Sequence, residues 1–178
     1  HLHIPLQSGS DAVLKVMRRK YNKEEYYNKI QSIRQTVPGI AITTDIIVGF
    51  PEETDEMFEE MFEFARKCSF SEMHVFPYSK RSGTKAALIK GQINGIIKSL
   101  RVNRLIQLNE ELASNYINSN KDKVISVLFE SSDDEFTYGH SDTYITIKVK
   151  RDESLHNTIK NVSIDTVKYK DTLGKIKS

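Results

Sequence analysis

The sequence predicts an α/β part followed by a small all-β antiparallel barrel, and three observations carry that expectation. Ile42, Ile46, Ile47 and Val48 form an apolar run broken only by Thr43, Thr44 and Asp45. Ended by Gly49 and Pro51, such a run suits a strand inside a parallel sheet. Strand-like and helix-like segments alternate three times up to residue 118, as in a parallel sheet or part of a (β/α) barrel. From Lys123 onward that rhythm gives way to five short alternating runs joined by polar turns. The expected domains are therefore 1–118 and 119–178. Three strand–helix units cannot close a barrel, so further strands, an amino-terminal half, are expected upstream.

Taken in order, Leu2, Ile4 and Leu6 alternate with His1, His3 and Pro5, a strand period with one buried face. Pro5 requires a bulge or a strand end there. Ser10 or Asp11 can cap a helix carrying Val13, Leu14 and Met17 and closed by Arg18, Arg19 and Lys20. A second helix is expected over Glu24–Thr36, with Tyr26, Tyr27, Ile30 and Ile33 as packing residues. After the strand at 42–48, Thr54 caps a helix running to about Cys68 along a Met57, Phe58, Met61, Phe62, Phe64, Ala65 face. Glu72–Pro77 reads as a third strand, left by a polar loop from Tyr78 to Thr84. A long amphipathic helix then runs from Asn94 to Asn118 through Ile97, Leu100, Leu105, Leu108 and Leu112.

Ligands of parallel sheets sit at the carboxyl ends of strands, which places attention on Gly49 and its neighbours. An acid inside a strand must be hydrogen-bonded or face a site, so Asp45 is a site residue or an acid at a strand edge. Composition narrows the class. The formal charge is +2, so no nucleic-acid partner is demanded, and no apolar run reaches membrane-spanning length. The single cysteine, Cys68, excludes an internal disulfide framework and reads as a small core residue. His1, His3, His74 and His140 follow no familiar metal-ligand spacing and read as packing or surface residues. In 119–178 the charges balance, ten basic against ten acidic, but Lys148, Lys150, Lys168 and Lys170 enrich the last third. Near Tyr138, Tyr144 and Tyr169 they suit RNA contact, or a solvated face.

Three longer stretches occur in order: HisLeuHisIleProLeuGlnSerGlySerAsp, ThrThrAspIleIleValGlyPheProGluGluThr and PheProTyrSerLysArgSerGlyThrLysAlaAla. With them the chain resembles the radical S-adenosylmethionine methylthiotransferases over essentially its whole length. The resemblance implies the carboxyl-terminal half of a radical SAM (β/α) barrel followed by a TRAM domain, an OB-like RNA-binding barrel. HisValPheProTyrSerLysArg looks most like the branch acting on N6-threonylcarbamoyladenosine at tRNA position 37. The isopentenyladenosine and ribosomal-protein branches are the alternatives, and a non-catalytic RNA-binding module is the alternative of another class.

The resemblance implies S-adenosylmethionine and two 4Fe-4S clusters as cofactors, tRNA as partner and a cytoplasmic setting. One cluster, on a CysXxxXxxXxxCysXxxXxxCys motif, generates a radical that abstracts hydrogen from C2 of the adenine. Sulfur is then inserted and methylated. None of the cluster cysteines lies in this chain, which by itself is expected to be inactive. Gln7, Arg19 and Asp45 match family positions that contact S-adenosylmethionine, and Val48 and Gly49 would approach its adenine through backbone and apolar contact. Ser79, Arg81 and Thr84 would face the substrate. Glu52 stands where the family usually has Gly, so the turn is expected to differ locally if that Gly has positive φ.

Overall fold

The computed structural model describes residues 1–177. Leu2–Leu112 and the stretch from Ala113 onward form two compact units, so their division falls within the long helix rather than after it.

In the first unit, β1 (Leu2–His3), β2 (Ile42–Val48) and β3 (Glu72–Pro77) make a three-stranded parallel sheet in that order. Proline restricts β1 to two residues, and the chain rejoins the sheet only at an isolated bridge between Gln7 and Ile46. Between these strands run α1 (Asp11–Val16), α2 (Lys23–Thr36) and α3 (Asp55–Cys68), followed by α4 (Gly95–Asn118). Ser10 is the residue before α1, but its side chain makes no capping bond. The Asp11 carboxylate instead accepts from the Lys23 amide at the start of α2. Asn22 and Glu25 close that start with a reciprocal capping box that the sequence reading missed. α1 stops at Val16, before the basic residues expected to close it. Arg18 turns the chain with φ 58°.

Alternation along β2 sorts its residues between two faces. Ile42, Ile46 and Val48 join Leu6, Phe70 and Met73 in a core with Tyr26 and Ile30 of α2, Phe58, Met61 and Phe64 of α3, and Leu105, Leu108 and Leu112 of α4. Thr43, Asp45 and Ile47 point to the opposite face, where β3 contributes His74 and Phe76. The apolar stripe of α4 is uncovered over its first turns: Ile97 and Leu100, expected to pack, are exposed. Cys68 is fully buried, and burial pushes its thiol up to about 12, so it is an inert core residue.

The second unit contains β4 (Val124–Ser132), β5 (Phe136–Ser141), β6 (Thr146–Lys150), β7 (Thr158–Thr166) and β8 (Thr172–Ile176), closed in the order β4-β5-β6-β8-β7. The five runs of the sequence reading are these five strands, but the barrel is not wholly antiparallel. β6 pairs with β8 in parallel, Ile147 beside Thr172. The reason is parity: an odd number of strands cannot alternate direction around a closed ring. Bulges between Phe129 and Ser131 and between Ile164 and Thr166 bend the strands for closure. Gly139 allows β5 to approach β4, because a Cβ there would lie 2.4 Å from the Leu128 carbonyl oxygen. Val127, Phe129, Ile147, Val149, Val162 and Ile164 fill the interior.

Candidate functional site

The carboxyl ends of the parallel strands shape two adjoining cavities. Gln7 is central to both. Its amide donates to the Asp45 carbonyl and its carbonyl accepts from the Ile47 amide, each at 2.9 Å, locking the residue against β2. It holds φ 66°, an uncommon conformation for a side-chain-bearing residue and one found at sites the surrounding structure constrains. The Gln7 Oε1 accepts from Arg19 Nη2 at 2.9 Å, so the expected partners meet across twelve residues of sequence.

Gln7, Arg19, Ile47, Phe50, Glu52 and Lys85 line a cavity of about 640 Å³. Gln7, Asp45, Ile47, Tyr78, Ser79 and Arg81 line the second, of about 600 Å³, together with Thr84. Ser79, Arg81 and Thr84 therefore share a cavity with Gln7 and Asp45, although Arg19 lines only the first. Thr84 is there partly as a brace. Its hydroxyl donates to the Arg81 carbonyl at 2.8 Å and accepts from the Ala87 amide. Tyr78, which the sequence reading placed in the loop but not in the site, has a buried hydroxyl with no partner among the described residues. An unpaired buried hydroxyl is costly, which makes Tyr78 a candidate donor to a ligand.

The side chains at the very end of β2 stand apart from the cavity linings. The Val48 side chain is fully buried in the helix-facing core, away from both cavities. Gly49 lines neither of them; a Cβ on it would meet the Lys98 side chain at 2.4 Å. Apolar contact at the strand end comes from Ile47, because odd-numbered positions of β2 face the cavities, and from Phe50 in the turn just beyond the strand. Glu52 itself takes up the left-handed conformation. It adopts φ 70° with its side chain present and donates its amide to the Gly91 carbonyl at 3.0 Å.

A buried polar clamp braces the same turn. Glu53 Oε1 accepts from the Gly49 amide at 2.9 Å and from Arg101 Nη1 at 2.6 Å, while Arg101 Nη2 reaches Asp55 at 2.7 Å. Burial raises the Glu53 carboxyl above its ordinary range, against the lowering effects of the Gly49 amide and Arg101. The sequence reading missed Arg101 because its helix position carries no motif; only the fold brings it to Glu53.

In the barrel unit the four lysines differ from one another. Lys148 lies over the Phe136 ring, 3.9 Å from its centroid, and pairs with Asp171. Lys168 also reaches Asp171, at 3.1 Å. Lys168 and Lys170 were expected to share a strand face, but both lie in the turn between β7 and β8, where Lys170 has φ 61°. Lys150 is exposed on β6.

A family model described as the Radical SAM superfamily matches residues 1–65. Over 169 residues the chain is 42% identical to the threonylcarbamoyladenosine tRNA methylthiotransferase MtaB of Bacillus subtilis, covering 92% of this chain and 38% of that protein. The chain belongs to the radical SAM methylthiotransferase family. It is also 38% identical over 179 residues to a tRNA-2-methylthio-N(6)-dimethylallyladenosine synthase of Acetivibrio thermocellus, covering 99% of this chain and 37% of that one. An enzyme of the same description from Geobacillus kaustophilus is 44% identical over 130 residues, 73% of this chain and 24% of its own length. The chain thus spans little more than a third of the relatives with which it aligns almost throughout.

Its residues fit one of the family's cofactors and not the other. The Gln7 amide, the Arg19 guanidinium and the Asp45 carboxylate are the donor and acceptor types that ribose hydroxyls and a methionine carboxylate require. An iron–sulfur cluster is held by several cysteine thiolates, and the sole cysteine of this chain is packed in the helix-facing core with its thiol protonated. No helix among the described residues is long and apolar enough to cross a membrane.

Proposed function

We propose that this chain supplies the S-adenosylmethionine- and substrate-facing part of a tRNA methylthiotransferase, with the cluster cysteines contributed from outside it. The supporting observation is the shared cavity at the strand ends, where Gln7 and Asp45 meet the loop carrying Ser79, Arg81 and Thr84. In this reading S-adenosylmethionine supplies the radical initiator and the methyl group. Gln7, oriented by Arg19, and Asp45 hold its polar ends, while Ile47 and Phe50 exclude water. In the cluster-loaded enzyme, Asp45→Ala weakens S-adenosylmethionine binding by about 1–3 kcal/mol. Unchanged affinity in a folded, cluster-loaded variant makes Asp45 structural.

For the substrate we propose adenosine 37 of tRNA bearing N6-threonylcarbamoyl. That group ends in a carboxylate, and Arg81 lines the cavity; a dimethylallyl group offers a guanidinium nothing. Arg81→Met should raise KM for the threonylcarbamoyl substrate and leave a dimethylallyl substrate no worse. The reverse pattern assigns the chain to the other branch. The barrel is proposed to act as a TRAM domain that grips tRNA phosphate, with Lys150 and Lys170 as the outer cations and Lys148 and Lys168 tempered by Asp171. Replacing all four by Ala should lower tRNA affinity and flatten its salt dependence. An unchanged salt slope would leave the basic face a solvated surface.

A further inference from the structure

The three strands of the parallel sheet bring together residues that no sequence spacing connects. His3 lies on β1, Asp45 on β2 and His74 on β3. Parallel register sets Asp45 beside His74, and sets His3 beside Thr43, two residues before Asp45 and so on the same face of β2. All three side chains therefore leave the sheet on the face opposite the helices. His3 Nε2 stands 3.3 Å from Asp45 Oδ2, and one ligating atom from each of the three residues lies within 4.8 Å of the others. The two imidazole centroids are 5.8 Å apart.

The His3–Asp45 separation matches a coordination shell, and His74 stands within reach of the same ion. Ligands bonded at about 2.0–2.1 Å to a tetrahedral ion stand roughly 3.3–3.4 Å apart, which is the His3–Asp45 separation. The other nitrogen of His3, Nδ1, lies 2.9 Å from Thr43 Oγ1. A hydrogen bond on the far nitrogen is how a ligating histidine has its ring and tautomer set, leaving Nε2 to the metal. Strand-borne donors also need no loop to be ordered. As a bare ion pair the arrangement offers little, because the His3 and Asp45 side chains are 37% and 31% exposed. The same exposure gives an ion a way in.

We propose that His3, Asp45 and His74 form a binding site for a divalent transition-metal ion, with Thr43 positioning His3. Two imidazoles and one carboxylate suit zinc-type ions and disfavour magnesium and calcium, which take oxygen ligands. Three protein donors leave further coordination positions to water or to a substrate oxygen. The inference does not rest on the cofactor role proposed for Asp45, since it needs only the register of three strands.

The test uses the untagged 178-residue chain, stripped with chelator and titrated with Co²⁺ while its visible d–d absorption is followed. One equivalent should bind per chain, be displaced by Zn²⁺ and be indifferent to excess Mg²⁺. His3→Ala, His74→Ala and His74→Gln should each weaken binding at least a hundredfold with an unchanged circular dichroism spectrum, His74 being exposed. Thr43→Val should weaken it by roughly 10- to 100-fold. His140→Ala, which alters a histidine–glutamate pair on the barrel, should change nothing. Absence of saturable Co²⁺ binding up to millimolar concentration overturns the proposal, as does stoichiometric binding that survives loss of His3 and His74. No S-adenosylmethionine or cluster enters the measurement, so failure of the metal site and failure of the methylthiotransferase reading remain distinguishable.

Discussion

The two units of this chain treat the edges and faces of a sheet in opposite ways. The barrel hydrogen-bonds every strand on both sides and turns its apolar residues inward. The parallel sheet covers one face with helices and leaves polar and ionisable groups on the other: His3, Asp45 and His74. Among the described residues its outer strands each pair only with β2. Closure satisfies the backbone and leaves the barrel's outer side chains free to vary. An open parallel sheet keeps strand ends and a polar face available for chemistry, and it needs other devices to hold them. Here those devices are the Arg101 clamp and side-chain-bearing residues at positive φ.

The sharpest way to break this comparison is to remove one large core ring from each unit. Phe58→Ala and Phe129→Ala, both at almost fully buried positions, should each cost about 3–5 kcal/mol. Hydrogen exchange followed by mass spectrometry should show lost protection confined to the unit that carries the change. Loss spreading equally through both would mean the units fold as one.

Arg101→Met tests whether the open sheet depends on its polar clamp. The Arg101 and Glu53 side chains are 6% and 1% exposed, so removing the cation strands a buried carboxylate, at about 3–5 kcal/mol. Adding Glu53→Gln should recover a good part of the loss in denaturant unfolding, whereas a purely additive double variant would deny the coupling.

A smaller effect, of opposite sign, is expected at the turn after β2. Glu52→Gly relieves a left-handed conformation that costs a side-chain-bearing residue roughly 1–2 kcal/mol. The variant should melt slightly higher. A lower melting temperature would show that the Glu52 side chain contributes more than its backbone strain costs.

The smallest effect belongs to the barrel. Hydrogen bonds from Lys148 and Lys168 hold the Asp171 carboxyl below its ordinary range. With the folded value depressed, this contribution is complete above the unfolded value of roughly 3.9 and fades as pH falls through the folded one. Asp171→Asn should therefore narrow the stability difference from the parent only on the acid side. An equal difference at neutral and acid pH would show that the contact is not electrostatic.

Periodicity, breakers and turn residues determined the elements, because each is a local property. The Ile42–Val48 strand, the Phe58–Met61–Phe64 helix face and the five runs after Lys123 are legible one residue at a time. The three long motifs identified the family for the same reason, being contiguous. What they could not supply was pairing. Only the register of β1, β2 and β3 put His3, Asp45 and His74 side by side, and only the docking of α4 brought Arg101 to Glu53. Face assignment was decided in three dimensions as well: Val48 and Ile47 are equally apolar neighbours, yet the pleat sends one into the core and the other to the cavities. The parallel β6–β8 seam likewise follows from closing five strands into a ring, a constraint on the whole barrel that no single strand carries.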